Sequence, residues 1–107
     1  MTEAYITKKV KEYLMELKNH FGPAFYFQKV SDRFTDGIPD YYITFRGKSL
    51  WLELKAPGER PRPLQIYVLK RLAKAGNMAE WTDNIEDARE CIDEFVSTCD
   101  AKSSKIL

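Results

Sequence analysis

The proline and aspartate at positions 39–40, followed after twelve residues by Glu53-Leu54-Lys55, constrain this chain more than any other feature. The residues between them form two β-forming runs, Tyr41-Tyr42-Ile43-Thr44-Phe45 and Leu50-Trp51-Leu52. The polar stretch Arg46-Gly47-Lys48-Ser49 separates the runs, and this pattern predicts a β-hairpin. A two-residue loop at Arg46-Gly47 pairs Phe45 with Lys48 and sets Asp40 opposite Glu53. Cross-strand neighbours have Cβ atoms roughly 4.5–5.5 Å apart. A four-residue loop would instead pair Asp40 with Lys55. Either register keeps two carboxylates and an amine in one patch.

Side chains alternate along a strand, so Leu50, Leu52, Leu54 and Ala56 share one face of the second run. Trp51, Glu53 and Lys55 share the other. An apolar face then anchors the strand while the charged groups project from it. Two carboxylates held together suit a hard divalent cation such as Mg²⁺, which takes carboxylate oxygens and keeps several waters. A lysine beside such an ion can hold or deprotonate a nucleophilic water. This is equipment for phosphodiester hydrolysis. E-x-K alone is often a solvated strand face and P-D alone often opens a turn; their combination at hairpin spacing carries the argument.

At 107 residues the chain is expected to be a single domain over 1–107, with about 99–107 a frayed tail. A hydrophobic fraction of 44% and a charged fraction of 31% belong to an ordinary globular protein. No apolar run approaches the ~18 residues of a membrane span. The N-terminus carries no signal-peptide pattern, so the expected location is the cytoplasm, or the host cytoplasm for a phage-encoded protein. Cys91 and Cys99 are then reduced thiols, too few for a zinc site, and the lone His20 excludes most histidine-based catalysis. Charge is unevenly placed although the net value is +1. Residues 46–74 hold eight bases against two acids, whereas residues 80–100 hold eight acids against one base. The basic half contains the proposed site and suits a polyanion.

Ile6, Val10, Tyr13, Leu14 and Leu17 recur at helical spacing, which predicts a helix over 3–20 that ends at Gly22-Pro23. A strand over 24–30, a polar loop over 31–37 and the hairpin follow. The proline-rich basic stretch 56–63 leads to a helix over 64–75, opened by Pro63 and closed by Gly76. A short strand over 77–82 precedes a last helix from Ile85 to about Thr98, capped by Asp83 or Asn84. The order α-β-β-β-α-β-α predicts an α/β sandwich with a mixed sheet.

Thr2-Glu3 opening the first helix, GIPD at 37–40, LELKAP at 52–57, and Gln65 followed by a helix ending Ala75-Gly76 together resemble the VRR-NUC family of the PD-(D/E)XK nuclease superfamily, in its small stand-alone form. The resemblance runs from about Thr2 to Ala88 and implies a restriction-endonuclease-like αβββαβ core. It implies a Mg²⁺- or Mn²⁺-dependent, structure-selective DNA endonuclease that resolves four-way (Holliday) junctions as a homodimer, with no nucleotide cofactor. By the resemblance, Asp40, Glu53 and the main-chain carbonyl of Leu54 hold the metal, and Glu3 completes the acidic cluster. Lys55 orients or activates the attacking water. Gln65 supports the site or contacts the phosphate. Arg60, Arg62, Lys70 and Lys74 are expected on phosphates, and Lys29 on the substrate backbone. Tyr5, Phe25 and Tyr41 are candidates for a dimer surface. The alternatives are a less selective flap or single-strand nuclease, an inactive DNA-binding module of the same fold, and a protein-interaction domain that uses the acidic last helix.

Overall fold

The structure, a computed structural model, describes residues 1–30 and 36–106, with side chains as far as Asp100. It contains α1 (Glu3–Phe21), a 3-10 turn (Gly22–Ala24), β1 (Phe25–Lys29), β2 (Tyr41–Phe45), β3 (Lys48–Leu54), α2 (Pro63–Lys74), β4 (Met78–Thr82) and α3 (Ile85–Ile106). The strands lie in the order β1-β2-β3-β4. The first three are antiparallel neighbours, whereas β4 runs parallel to β3 after the α2 crossover, so the sheet is mixed.

The helices form where their apolar residues can reach the sheet. Ile6, Val10 and Leu14 of α1 are fully buried at spacings of four, and the Thr2 hydroxyl caps the helix by accepting from the Tyr5 N–H at 3.1 Å. α3 lays Ala88, Ile92, Phe95 and Cys99 beside that stripe, and the Tyr13 hydroxyl donates to the Asp93 carboxylate between the two helices. Against them the sheet buries Phe25, Tyr41, Ile43, Phe45, Leu50, Leu52 and Leu54. Each buried Leu, Ile or Phe is worth about 1.5–3 kcal/mol, so this layer holds the fold together.

Three expectations change. α3 does not fray at residue 99: its apolar stripe continues to Cys99, which is 2% exposed, and Asp100 pairs with Arg46 at 3.3 Å. Phe25 and Tyr41 belong to the core and offer no dimer surface, while Tyr5 is exposed. The chain also turns through a 3-10 segment before β1, which therefore starts one residue later than expected. Most of the polar loop over 31–37 lies outside the described residues.

The hairpin takes the two-residue loop, with Phe45 opposite Lys48 and Tyr41 opposite Leu52. Arg46 and Gly47 both have positive φ, 51° and 79°, the conformation whose twist suits two-residue hairpins. The four-residue alternative is thereby excluded. On the second face of the sheet, α2 covers the β3–β4 side and buries Gln65 and Leu69. Its first turn rests on Gly37, where a Cβ would lie 2.9 Å from the Leu64 Cγ and φ is +84°. Among the described residues no helix is long and apolar enough to cross a membrane.

Candidate active site

Asp40 sits one residue before β2, and Glu53 is the penultimate residue of β3. The hairpin register brings them face to face, and each is tied to the other's strand. The Asp40 N–H donates to Glu53 Oε1 at 3.2 Å, and the Leu54 N–H donates to Asp40 Oδ2 at 2.8 Å. These bonds prolong the ladder with side-chain oxygens where its backbone pairing ends. The β1 side is continued as well, because the Val30 N–H donates to the Asp40 carbonyl at 2.9 Å.

Glu53 does not stand in solvent. It is 2% exposed, on the face that α2 covers, and the Gln65 Nε2 donates to its Oε2 at 2.5 Å. Gln65 is itself fixed, since its Oε1 accepts from the Arg62 N–H at 2.8 Å in the first turn of α2. One amide thus satisfies an orphan N–H at a helix start and orients a carboxyl on the sheet. Its support role was expected; the burial it imposes on Glu53 was not, because a strand pattern does not say which helix covers which face.

Two lysines flank the carboxyl pair. The Lys55 Nζ lies 3.6 Å from Glu53 Oε2, and the Lys29 Nζ lies 3.6 Å from Asp40 Oδ1. Lys55 is held by its own backbone, whose N–H donates to the Thr82 carbonyl at 2.9 Å. Lys29 also stands over the Tyr41 ring, 5.9 Å from its centroid. Burial pushes the Glu53 carboxyl up to about 8, and its hydrogen bond to Asp40 and the Asp40 charge push the same way; Lys55 opposes them. Glu53 is therefore favoured in its protonated form at neutral pH.

Asp40, Glu53, Leu54, Lys55 and Gln65 come together as a unit. Glu3 does not join them. It is exposed in the first turn of α1, and no group of three or more acidic, histidine or cysteine residues among the described ones is placed to hold a metal ion. A carboxylate in a first helical turn is also favoured by the helix dipole. Arg60, Arg62, Lys70 and Lys74 are exposed around the start and outer face of α2. Arg62 is engaged by Asp36 at 2.9 Å, a contact that sequence reasoning missed because Asp36 reads as an ordinary loop residue. The Asp83 carboxylate accepts from the Gly58 N–H at 3.0 Å, which ties the basic loop to the end of β4.

The donor set is all oxygen: two carboxylates and the backbone of Leu54. It fits a hard divalent cation, and a buried carboxyl that holds its proton beside a second carboxyl is a place where a cation can replace that proton. Comparison with known proteins supports the architecture. No family model matches the sequence, and no curated protein matches it. A solved structure described as a VRR_NUC domain superposes with a TM-score of 0.69 at 22% identity, covering 85% of this chain and 94% of that one. The chain therefore has the fold of that domain, an α/β restriction-endonuclease-like fold.

Proposed function

We propose that this chain is a metal-dependent nuclease of the VRR-NUC family that hydrolyses phosphodiester bonds in DNA. The observation that carries the reading is the Asp40–Glu53 pair, locked across two strands with Lys55 beside it, on a fold shared with a VRR_NUC domain. Asp40, Glu53 and the Leu54 carbonyl would hold Mg²⁺ or Mn²⁺. When bound, the ion would supply Lewis-acid stabilisation of the phosphate and acidify a water. Lys55 positions that water and offsets charge developing on the phosphate. Gln65 fixes the Glu53 carboxyl. Lys29 releases Asp40 and takes up a backbone phosphate, while Arg60, Arg62, Lys70 and Lys74 hold the flanking strand.

The finer reading is an endonuclease that resolves four-way junctions as a homodimer. The chain is too small to wrap DNA, so recognition runs through phosphates and shape. Paired cuts across a two-fold junction suit a symmetric dimer. The test is cleavage of labelled four-way junction, flap, linear duplex and single strand in Mg²⁺, Mn²⁺ or EDTA. Cleavage that needs metal and is abolished by Asp40→Ala and by Lys55→Ala is expected, with the junction cut first. Metal-independent cleavage, or full activity in either variant, would remove the assignment. Preference for flaps or single strands would retain the nuclease and exclude the resolvase.

A further inference from the structure

β4 is the terminal strand of the sheet, and its outer edge has no partner strand among the described residues. The Thr82 carbonyl is taken by the N–H of Lys55, the residue that follows β3. In a parallel ladder a residue's N–H and C=O point the same way, so Met78, Glu80 and Thr82 face β3. The N–H and C=O of Ala79 and Trp81 therefore point outward, and an edge of this kind can template another strand.

Two grooves run along this edge, one on each face. Towards α3 lies a groove of about 250 Å³ rimmed by Glu80, Asp87, Glu90 and Glu94. Its floor includes Thr82, which is 9% exposed and whose hydroxyl has no hydrogen-bond partner among the described residues. Cys91 lines it too, its thiol pushed up to about 12 by burial, with the Glu80 and Glu94 charges adding, so it is a neutral wall and not a nucleophile. Among the described residues no ion pair engages Glu80, Glu90 or Glu94. Towards α2 lies a cleft of about 200 Å³ lined by Ile66, Leu69, Ala73, Ala79 and Trp81, with Lys70 and Glu80 also on its wall. One face of the edge is acidic and the other is mainly apolar.

We infer that β4 accepts an extended peptide in which lysine or arginine alternates with apolar residues, added as a fifth strand. Side chains alternate along an added strand, so one set enters the acidic groove and the other the apolar cleft. The outward N–H and C=O of Ala79 and Trp81 make the main-chain bonds. A cation alone does not answer to this site, because these carboxylates are not grouped to hold one. Charge complementarity selects the basic register over the same peptide in acidic form.

The test uses the whole chain and three fluorescein-labelled octapeptides: alternating Lys-Val, alternating Glu-Val, and a block peptide with the Lys-Val composition. The Lys-Val peptide should bind with a Kd below about 100 µM and weaken as salt rises, while the other two bind at least about tenfold more weakly. The amide resonances of Ala79 and Trp81 should shift on binding. Glu90→Lys with Glu94→Lys, both exposed on α3, should lower affinity at least tenfold without lowering Tm. Equal binding of the block peptide, indifference to the charge reversal, or shifts confined to Asp40 and Glu53 would overturn the inference. Concentration-dependent self-association lost in Ala79→Pro, with no peptide binding, would assign the edge to a second copy and equally overturn it.

Discussion

Replacing Glu53 with glutamine should make the metal-free protein more stable at alkaline pH and less stable at acid pH. The Glu53 carboxyl titrates near 8 in the folded chain against an ordinary value of 4.5, so the native state holds a proton that the unfolded chain has lost across that interval. Unfolding free energy therefore falls as pH rises from 4.5 to 8 and levels off above it. The difference of 3.5 units corresponds to at most about 5 kcal/mol. The pairing with Lys55 and relaxation of the site reduce this figure. Glutamine needs no proton and escapes the loss. It has one acceptor oxygen, however, whereas Glu53 accepts from both the Asp40 N–H and the Gln65 amide, so one bond is lost at a cost of about 1–2 kcal/mol. Glu53→Gln should thus be at most about 1 kcal/mol less stable than wild type near pH 5 and about 3 kcal/mol more stable near pH 9. For a chain of this size that is a rise in Tm of more than about 10 °C at pH 9. Urea melts of both proteins in EDTA at half-unit steps of pH would show it. A constant difference between the two curves from pH 5 to 9 would mean that Glu53 ionises alike in native and unfolded chains, and its raised titration would have to be abandoned.

Gln65→Leu removes both the donor to Glu53 and the acceptor for the Arg62 N–H, and should cost about 1–3 kcal/mol in chemical denaturation. Gly37→Ala forces a side chain into a left-handed backbone against Leu64, and should cost about 1–3 kcal/mol by the same measurement while depressing cleavage further, because residue 37 sets the path into Asp40. Mg²⁺ affinity, read by calorimetry, should rise with pH up to about 8 and be flat above, since the ion must displace the Glu53 proton. Removing any one of Arg60, Lys70 or Lys74 should weaken DNA binding alike on unrelated sequences and lower the slope of log K against log salt by roughly one.

Where interactions are local in sequence, the chain announces them. The Arg46-Gly47 turn, the alternation of Leu50, Leu52 and Leu54, and the Thr2 cap each rest on a few adjacent residues. From them the meeting of Asp40 with Glu53 follows as one of two registers, and the two-residue loop seen in the structure selects it. Contacts made by the third dimension do not announce themselves. Glu53 and Lys55 alternate like a solvated strand face, and only the seating of α2 makes one of them 2% exposed. Glu3 shares the helical stripe with Ile6 and Val10, yet the first turn of α1 leaves it in water. Polar composition hides the end of α3, where Cys99 alone carries the stripe one turn further. Phe25 and Tyr41 are aromatic in either setting, and whether they meet solvent depends on which face α1 and α3 cover.

The tight turn at Arg46 and Gly47 has a consequence for how this chain can change in length. Asp40 and Glu53 are linked through five residues of β2, the turn and five residues of β3 before they meet. Because successive side chains point to opposite faces, inserting a single residue in either strand would send one carboxylate into the layer occupied by Ile6, Val10 and Ile92. Only matched insertions, one in each strand, keep both on the same side, and they must come in pairs of residues per strand to restore the original face. Drift by single codons is therefore blocked across this stretch, while the connection between β3 and α2 carries no such parity. Among descendants of this sequence, the number of residues separating the two acids should be the most constant length in the chain.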